Sequence, residues 1–144
     1  MYISSKCSIA VHCLIFISEY GADKKVTSAL LSLSTGANPV TIRNILSALK
    51  KDGIIDVRFG TGGAMIQLPL QEISLYRICM AVEPEAIEKM MGIHSSPSMR
   101  CPVGKNINEI LDSAYSRLHK DIVAGMSNIN MQGILDEYLA IISK

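Results

Sequence analysis

Apolar positions recur along this chain at intervals that separate helices from strands. From Ser4 or Ser5, either able to cap a helix, the chain runs to Tyr20 with Ile9, Ala10, Val11, Cys13, Leu14, Phe16 and Ile17 covering more than half the circumference; Gly21 stops it. Ala29, Leu30, Leu31 and Leu33 predict a short second helix from Thr27 to about Ser34, broken by Gly36. The third is the best marked, with Asn38 as N-cap, Pro39 at the first helical position and Gly53 at the end. Ile42, Ile45, Leu46 and Leu49 form its apolar face, opposite Thr41, Arg43, Asn44, Ser47 and Lys50. Two strands, Ile54–Phe59 and Ala64–Leu68, flank a glycine-rich turn, and Pro69 ends the second. A helix from Ile73 to Val82, a loop over 94–102, a long helix from about Lys105 to Ser127 and a last one over Met131–Ile142 complete the chain. In the long helix Ile107, Leu111, Ala114, Leu118 and Ile122 fall three or four apart, a stripe suited to another helix.

Composition sharpens this outline. In 144 residues there is no Trp, 5% aromatic and 49% apolar residues, so the apolar surplus is aliphatic. That predicts helices with one more apolar face than a single protomer can hide. The net charge of +1 excludes a strongly basic tail, yet residues 1–70 carry seven basic and four acidic side chains. The stretch Ile9 to Ile17 is far short of a bilayer span and lacks a signal-peptide cleavage site, so a cytoplasmic protein without membrane attachment is expected. Cysteines at 7, 13, 79 and 101 show no disulfide framework spacing and are expected to be reduced thiols.

Three helices followed by a glycine-tipped hairpin make a winged helix-turn-helix. The expected fold is mainly α, with a two-stranded wing and a long C-terminal dimerisation helix. Residues 1–70 form the winged domain, 71–104 a connecting helix and loop, and 105–144 the dimerisation helices. An α-helix fits the DNA major groove, where base edges carry a distinct donor and acceptor code. Asn38, Thr41, Arg43 and Asn44 occupy the start of the third helix. Lys50 and Lys51 suit phosphate contact, and Arg58 and Thr61 of the wing would reach the backbone or the minor groove.

In its motifs the chain resembles the Rrf2 family of bacterial transcription regulators. The residues that carry the likeness are Ser5-Lys6 with Ala10-Val11; Asn38-Pro39-Val40, Ile42-Arg43, Ile45-Leu46 and Leu49-Lys50-Lys51 before Gly53; and Gly60 with Gly62-Gly63. Glu72-Ile73-Ser74-Leu75, Ala81-Val82-Glu83 and Cys101-Pro102-Val103-Gly104 follow in order. The resemblance implies a homodimer built on the long helix, with two winged domains on two-fold-related half-sites of double-stranded DNA. It thus implies a DNA-contacting set of Ser5, Lys6, Asn38, Pro39, Val40, Thr41, Arg43, Asn44, Lys50, Lys51, Arg58 and Thr61, and dimerisation through Ile107, Leu111, Ala114, Leu118 and Ile122. Two departures stand out. Members with an iron–sulfur cluster hold it on three closely spaced cysteines ahead of the dimer helix, whereas only Cys101 lies there, so no cofactor or metal is expected. Phe59 stands directly before the wing's first glycine, where the family more often has arginine, and Arg58 precedes it.

Cys7 and Cys13, six apart on one helix, point to different sides and cannot share a metal alone. Cys13 and Cys79 read as core residues. Cys101, after Arg100 and near a helix N-terminus, reads as a redox-sensing thiol, against an inert loop cysteine as the plain alternative. His12, His94 and His119 show no metal spacing; one core and two surface histidines are expected. The expected function is a homodimeric repressor responsive to an oxidant or a small molecule. Its alternatives are a winged-helix module for protein contact and a cysteine-dependent enzyme pairing Cys101 with His94 or His119.

Overall fold

A computed structural model describes residues 4–58, 60 and 63–144. The elements run α1 (Ser5–Tyr20), α2 (Ser28–Thr35), α3 (Pro39–Lys51), β1 (Ile55–Arg58), β2 (Gly63–Ile66), α4 (Leu75–Val82), α5 (Pro102–Ser127) and α6 (Met131–Ile142), with short 3-10 turns at Leu70–Glu72 and Glu88–Met90. This is the mainly helical winged architecture that the sequence predicts, with its long C-terminal helix.

Local chemistry sets each boundary. The Lys6 N–H donates to the Ser4 hydroxyl oxygen and the Leu30 N–H to that of Thr27, so Ser4 and Thr27 cap α1 and α2. Gly36, at φ +73°, lets α2 turn sharply into the loop before α3. The Ser32 hydroxyl donates to the Ala37 carbonyl at 2.6 Å, tightening that turn. Asn38 Oδ1 accepts the Val40 N–H at 2.8 Å, and Pro39 follows as the first helical residue.

The core is aliphatic. Ala10, Cys13, Leu14 and Ile17 of α1 meet Leu31 of α2, Ile42, Ile45 and Leu49 of α3, and Ile54, Ile55 and Ala64 of the wing. In the antiparallel wing Ile55 stands opposite Ile66 and Arg58 opposite Gly63. A third segment joins it: Val26 bridges to Gly63 in parallel, and its carbonyl accepts the Ala64 N–H at 2.9 Å. A Cβ on Gly63 would lie 2.6 Å from the Val26 carbonyl oxygen, and the backbone there is left-handed at φ +65°, so the position demands glycine.

The strands begin at Ile55 and Gly63 instead of Ile54 and Ala64, the second ending at Ile66 instead of Leu68, and two helices begin further from where the sequence predicts. α4 starts at Leu75 instead of Ile73, because the Ser74 hydroxyl accepts the Arg77 N–H at 3.0 Å and caps the helix there. α5 starts at Pro102 rather than near Lys105, proline being suited to a first helical turn, so Cys101 is its N-cap residue. Ser98 packs against that first turn so closely that a side chain at Gly104 would strike its carbonyl. Met131, at the head of α6, is fully buried in the core, and its N–H donates to the Ile73 carbonyl at 2.9 Å. α5 differs: none of its 26 residues is buried.

The cysteines correct one expectation. Cys7 and Cys79 are not separate reduced thiols; they form a disulfide between α1 and α4, with Cα atoms 5.3 Å apart. Spacing along the chain could not reveal it, because the partners lie 72 residues apart and meet only when α4 folds back onto α1. Cys13 is buried and free, as expected. The histidines depart too: His12 faces outward on α1 beside Ser34, its Nε2 2.8 Å from the Ser34 hydroxyl, and all three histidines are exposed.

Candidate nucleic-acid interface

The solvent face of α3 presents two stripes. Arg43, Ser47 and Lys50 follow one another at helical spacing and line a groove of about 360 Å³ with Lys25, Thr27 and Ser28 at the start of α2, and with Val57, Arg58 and Gly60 of the wing. Thr41 and Asn44 face the other way and border a smaller cleft of about 90 Å³ with Lys6 of α1 and Val82 of α4. The exposed ridge of α3 thus stands between two grooves, each edged by lysine or arginine from another element.

Most of the sequence-predicted residues fall on this surface. Ser5, Lys6, Asn38, Pro39, Val40, Arg43, Asn44, Lys50, Lys51 and Arg58 are exposed, and Thr41 is half-buried. Asn38 has a second duty, since its Oδ1 is engaged by the Val40 N–H. Lys51 lies in neither groove, at the C-terminal end of α3. Arg58 projects from β1 with its Nε 3.7 Å from an Asp56 carboxylate oxygen, and 65% of its side chain is in solvent. Thr61 falls outside the described residues.

One residue escaped sequence reasoning. Lys25 joins the groove beside Arg43 and Arg58, and its ammonium donates to the Gly60 carbonyl at the base of the wing tip. Its signal was the Lys24-Lys25 pair just ahead of α2, which gains meaning only when Val26 pairs with the wing.

α4 braces the C-terminal end of α3. Arg77 Nε donates to an Asp52 carboxylate oxygen at 2.8 Å and its Nη2 to the Asp52 carbonyl at 3.0 Å. α4 also packs against α1 and α5, so it touches both the winged unit and the long helix.

Cys101 is exposed ahead of α5. Its side chain closes no full capping bond, yet the Gly104 and Val103 amides hold its thiol pKa below the ordinary value. Burial acts the opposite way on Cys13, whose pKa is pushed up to about 11.

The matching family model, described as an iron-dependent transcriptional regulator, covers residues 3–137. The chain belongs to the Rrf2 family. Over 134 residues it is 30% identical to YwnA of Bacillus subtilis (strain 168), a protein named for the HTH type of transcriptional regulator; the match spans 93% of this chain and 97% of YwnA. A Lactobacillus plantarum crystal structure, named as a transcriptional regulator, is similar at TM-score 0.76 and 27% identity, covering 94% of this chain and 91% of that one. Another crystal structure, named as a DNA-binding protein, matches at TM-score 0.71 and 27% identity over 91% of this chain and 99% of its own. This Rrf2 chain is a transcription regulator of winged-helix architecture and not an enzyme.

The iron in the family's description finds no matching donor set. Among the described residues no three His, Cys, Asp or Glu side chains are grouped to hold a metal. Cys7 and Cys79 are bonded to each other, Cys13 is buried, and Cys101 stands in the α5 approach without a second cysteine. These residues do not fit a cysteine-held iron–sulfur group. No described helix is long and apolar enough to cross a membrane.

Proposed function

We propose that this Rrf2 regulator works as a cluster-free homodimeric repressor, laying α3 of each protomer in successive major grooves of a two-fold-related operator. The observation that carries this reading is the exposed α3 ridge: Arg43 and Lys50 face Arg58 and Lys25 across one groove, and Thr41 and Asn44 meet Lys6 across the other. A duplex offers both things such a ridge needs, base edges for the helix and phosphates on either side for the flanking cations. The wing then rests on the adjacent backbone.

Pairing is supported by α5. The helix is about 39 Å long at 1.5 Å per residue, buries no residue in its own protomer, and leaves Leu118 38% and Ile110 56% exposed. A second α5 crossing it about a two-fold axis would cover Ile107, Leu111, Ala114, Leu118 and Ile122 isologously. Such a dimer places its two α3 helices for half-sites one helical turn, or a multiple of turns, apart.

The test is selection of sheared genomic DNA by the full-length chain, followed by a mobility-shift assay on the retained fragments, the chain's own promoter included. Retention of a fragment with inverted half-sites supports the reading. Failure to retain any fragment above non-specific affinity overturns it.

A further inference from the structure

The Cys7–Cys79 bridge lies where α1, α3 and α4 converge. Cys7 sits in the first turn of α1, one residue after Lys6, and Lys6 borders the small cleft with Thr41, Asn44 and Val82. Cys79 sits in α4, the helix whose Arg77 clasps Asp52 at the end of α3 and which also packs on α5. The bridge therefore ties the turn that presents Ser5 and Lys6 to the helix that braces the recognition helix.

We propose that Cys7 and Cys79 form an intramolecular thiol–disulfide switch that sets operator affinity, the disulfide form holding Lys6 beside Thr41 and Asn44 and binding DNA more tightly. The proposal rests on the DNA-binding reading above. A protein that works on DNA in a reducing compartment keeps a disulfide only transiently, which suits a sensor better than a structural staple. Cys7 is 6% exposed and Cys79 2%, so Cys7 is the residue nearer the surface.

The oxidant is a peroxide. The Cys7 thiolate attacks one peroxide oxygen; an S–O bond forms, the O–O bond breaks, and the leaving hydroxide takes up a proton to become water. The Cys79 thiol then attacks the Cys7 sulfur. An S–S bond forms, the S–O bond breaks, and the hydroxyl departs with the Cys79 proton as a second water. The two thiols have together lost two electrons, which the peroxide has gained. A cellular dithiol reverses the step by exchange. When the bridge opens, the first turn of α1 is released from α4, and Lys6 loses its fixed place beside α3.

The experiment uses the full-length chain, either reduced with dithiothreitol or oxidised with hydrogen peroxide, and the genomic fragment retained in the selection above. Peptide mapping of the alkylated protein is expected to recover a Cys7–Cys79 cross-linked peptide only from the oxidised sample. Anisotropy titration is expected to show at least fivefold weaker binding after reduction. Cys101→Ser should keep that difference whole, whereas Cys79→Ser should bind equally, and at the weaker level, under both conditions. A circular dichroism melt checks that Cys79→Ser folds; if it does not, the wild-type and Cys101→Ser titrations still decide. Absence of the cross-linked peptide, a difference below fivefold or of opposite sign, or a difference lost in Cys101→Ser overturns the switch. Equal binding by both forms sinks the switch alone, while failure of the selection to retain any fragment sinks the DNA reading and the switch together.

Discussion

Arg43 and Lys50 share one stripe of α3 and one groove, yet they should fail differently when removed. Arg43 lies in the N-terminal half of the helix, where a guanidinium can make two bonds to a guanine edge. Arg43→Ala is expected to cost about 1–3 kcal/mol of specific binding and to relax sequence preference, with little effect on non-specific affinity. Lys50→Ala should weaken binding to every sequence and lower the slope of log affinity against log salt by about 1. Competition titrations at several salt concentrations distinguish the two. The cysteines make a second pair of opposites. The Gly104 and Val103 amides favour the Cys101 thiolate, so the stabilisation they lend is present above the ordinary thiol pKa and lost as pH falls through the lowered folded value. Cys13 carries the reverse sign: its neutral form is favoured, and the associated stability is complete below pH 9.0 and lost as pH climbs towards about 11. Iodoacetamide labelling across pH should therefore reach Cys101 at a lower pH than a free thiol, and leave Cys13 untouched until the protein unfolds. At this scale the sequence was most readable where a residue acts through its own neighbours in the chain. Asn38, Pro39 and Arg43 announced themselves by position. Lys25 and the Cys7–Cys79 bond did not, because each acquires its role from a partner brought in by tertiary folding.

Helices and strands were legible for a related reason. α3 could be read from its cap, its proline and its four buried aliphatics, all local signals that the packed core merely reinforces. The starts of α4 and α5 were harder. Ser74 caps α4 where apolar periodicity alone begins at Ile73, and Pro102 opens α5 although the apolar stripe only starts at Ile107. Nothing in the period of either helix encodes its first turn; capping chemistry does. The wing depends on one close approach, that of Val26 to Gly63, and this makes it the most sensitive element to a small change. Gly63→Ala places a methyl 2.6 Å from the Val26 carbonyl oxygen on a backbone at φ +65°. It should destabilise the chain by about 1–3 kcal/mol, the usual range for backbone strain at such a site. Chemical denaturation measures that loss, and DNA affinity should fall with it as Arg58 and Lys25 shift.

For the molecule as a whole, everything hinges on what α5 lies against. Leu118→Asp alters a side chain that is 38% exposed in the single protomer, so the winged domain should keep its fold while the pair dissociates. Sedimentation velocity is expected to report a protomer for this variant and a dimer for the wild type, with operator binding reduced at least tenfold. The apolar surplus in the composition is matched by an α5 that buries none of its residues in its own chain; the half-site spacing that the proposed dimer would set depends on a crossing angle that no linear pattern encodes. In the proposed dimer, a helix with no buried residue of its own also makes thermal stability a matter of abundance. Association adds stability that grows with the logarithm of protomer concentration. Dilution alone should therefore lower the melting temperature of the regulator, and in a sparsely supplied cell the number of copies would decide how much of it is in working form.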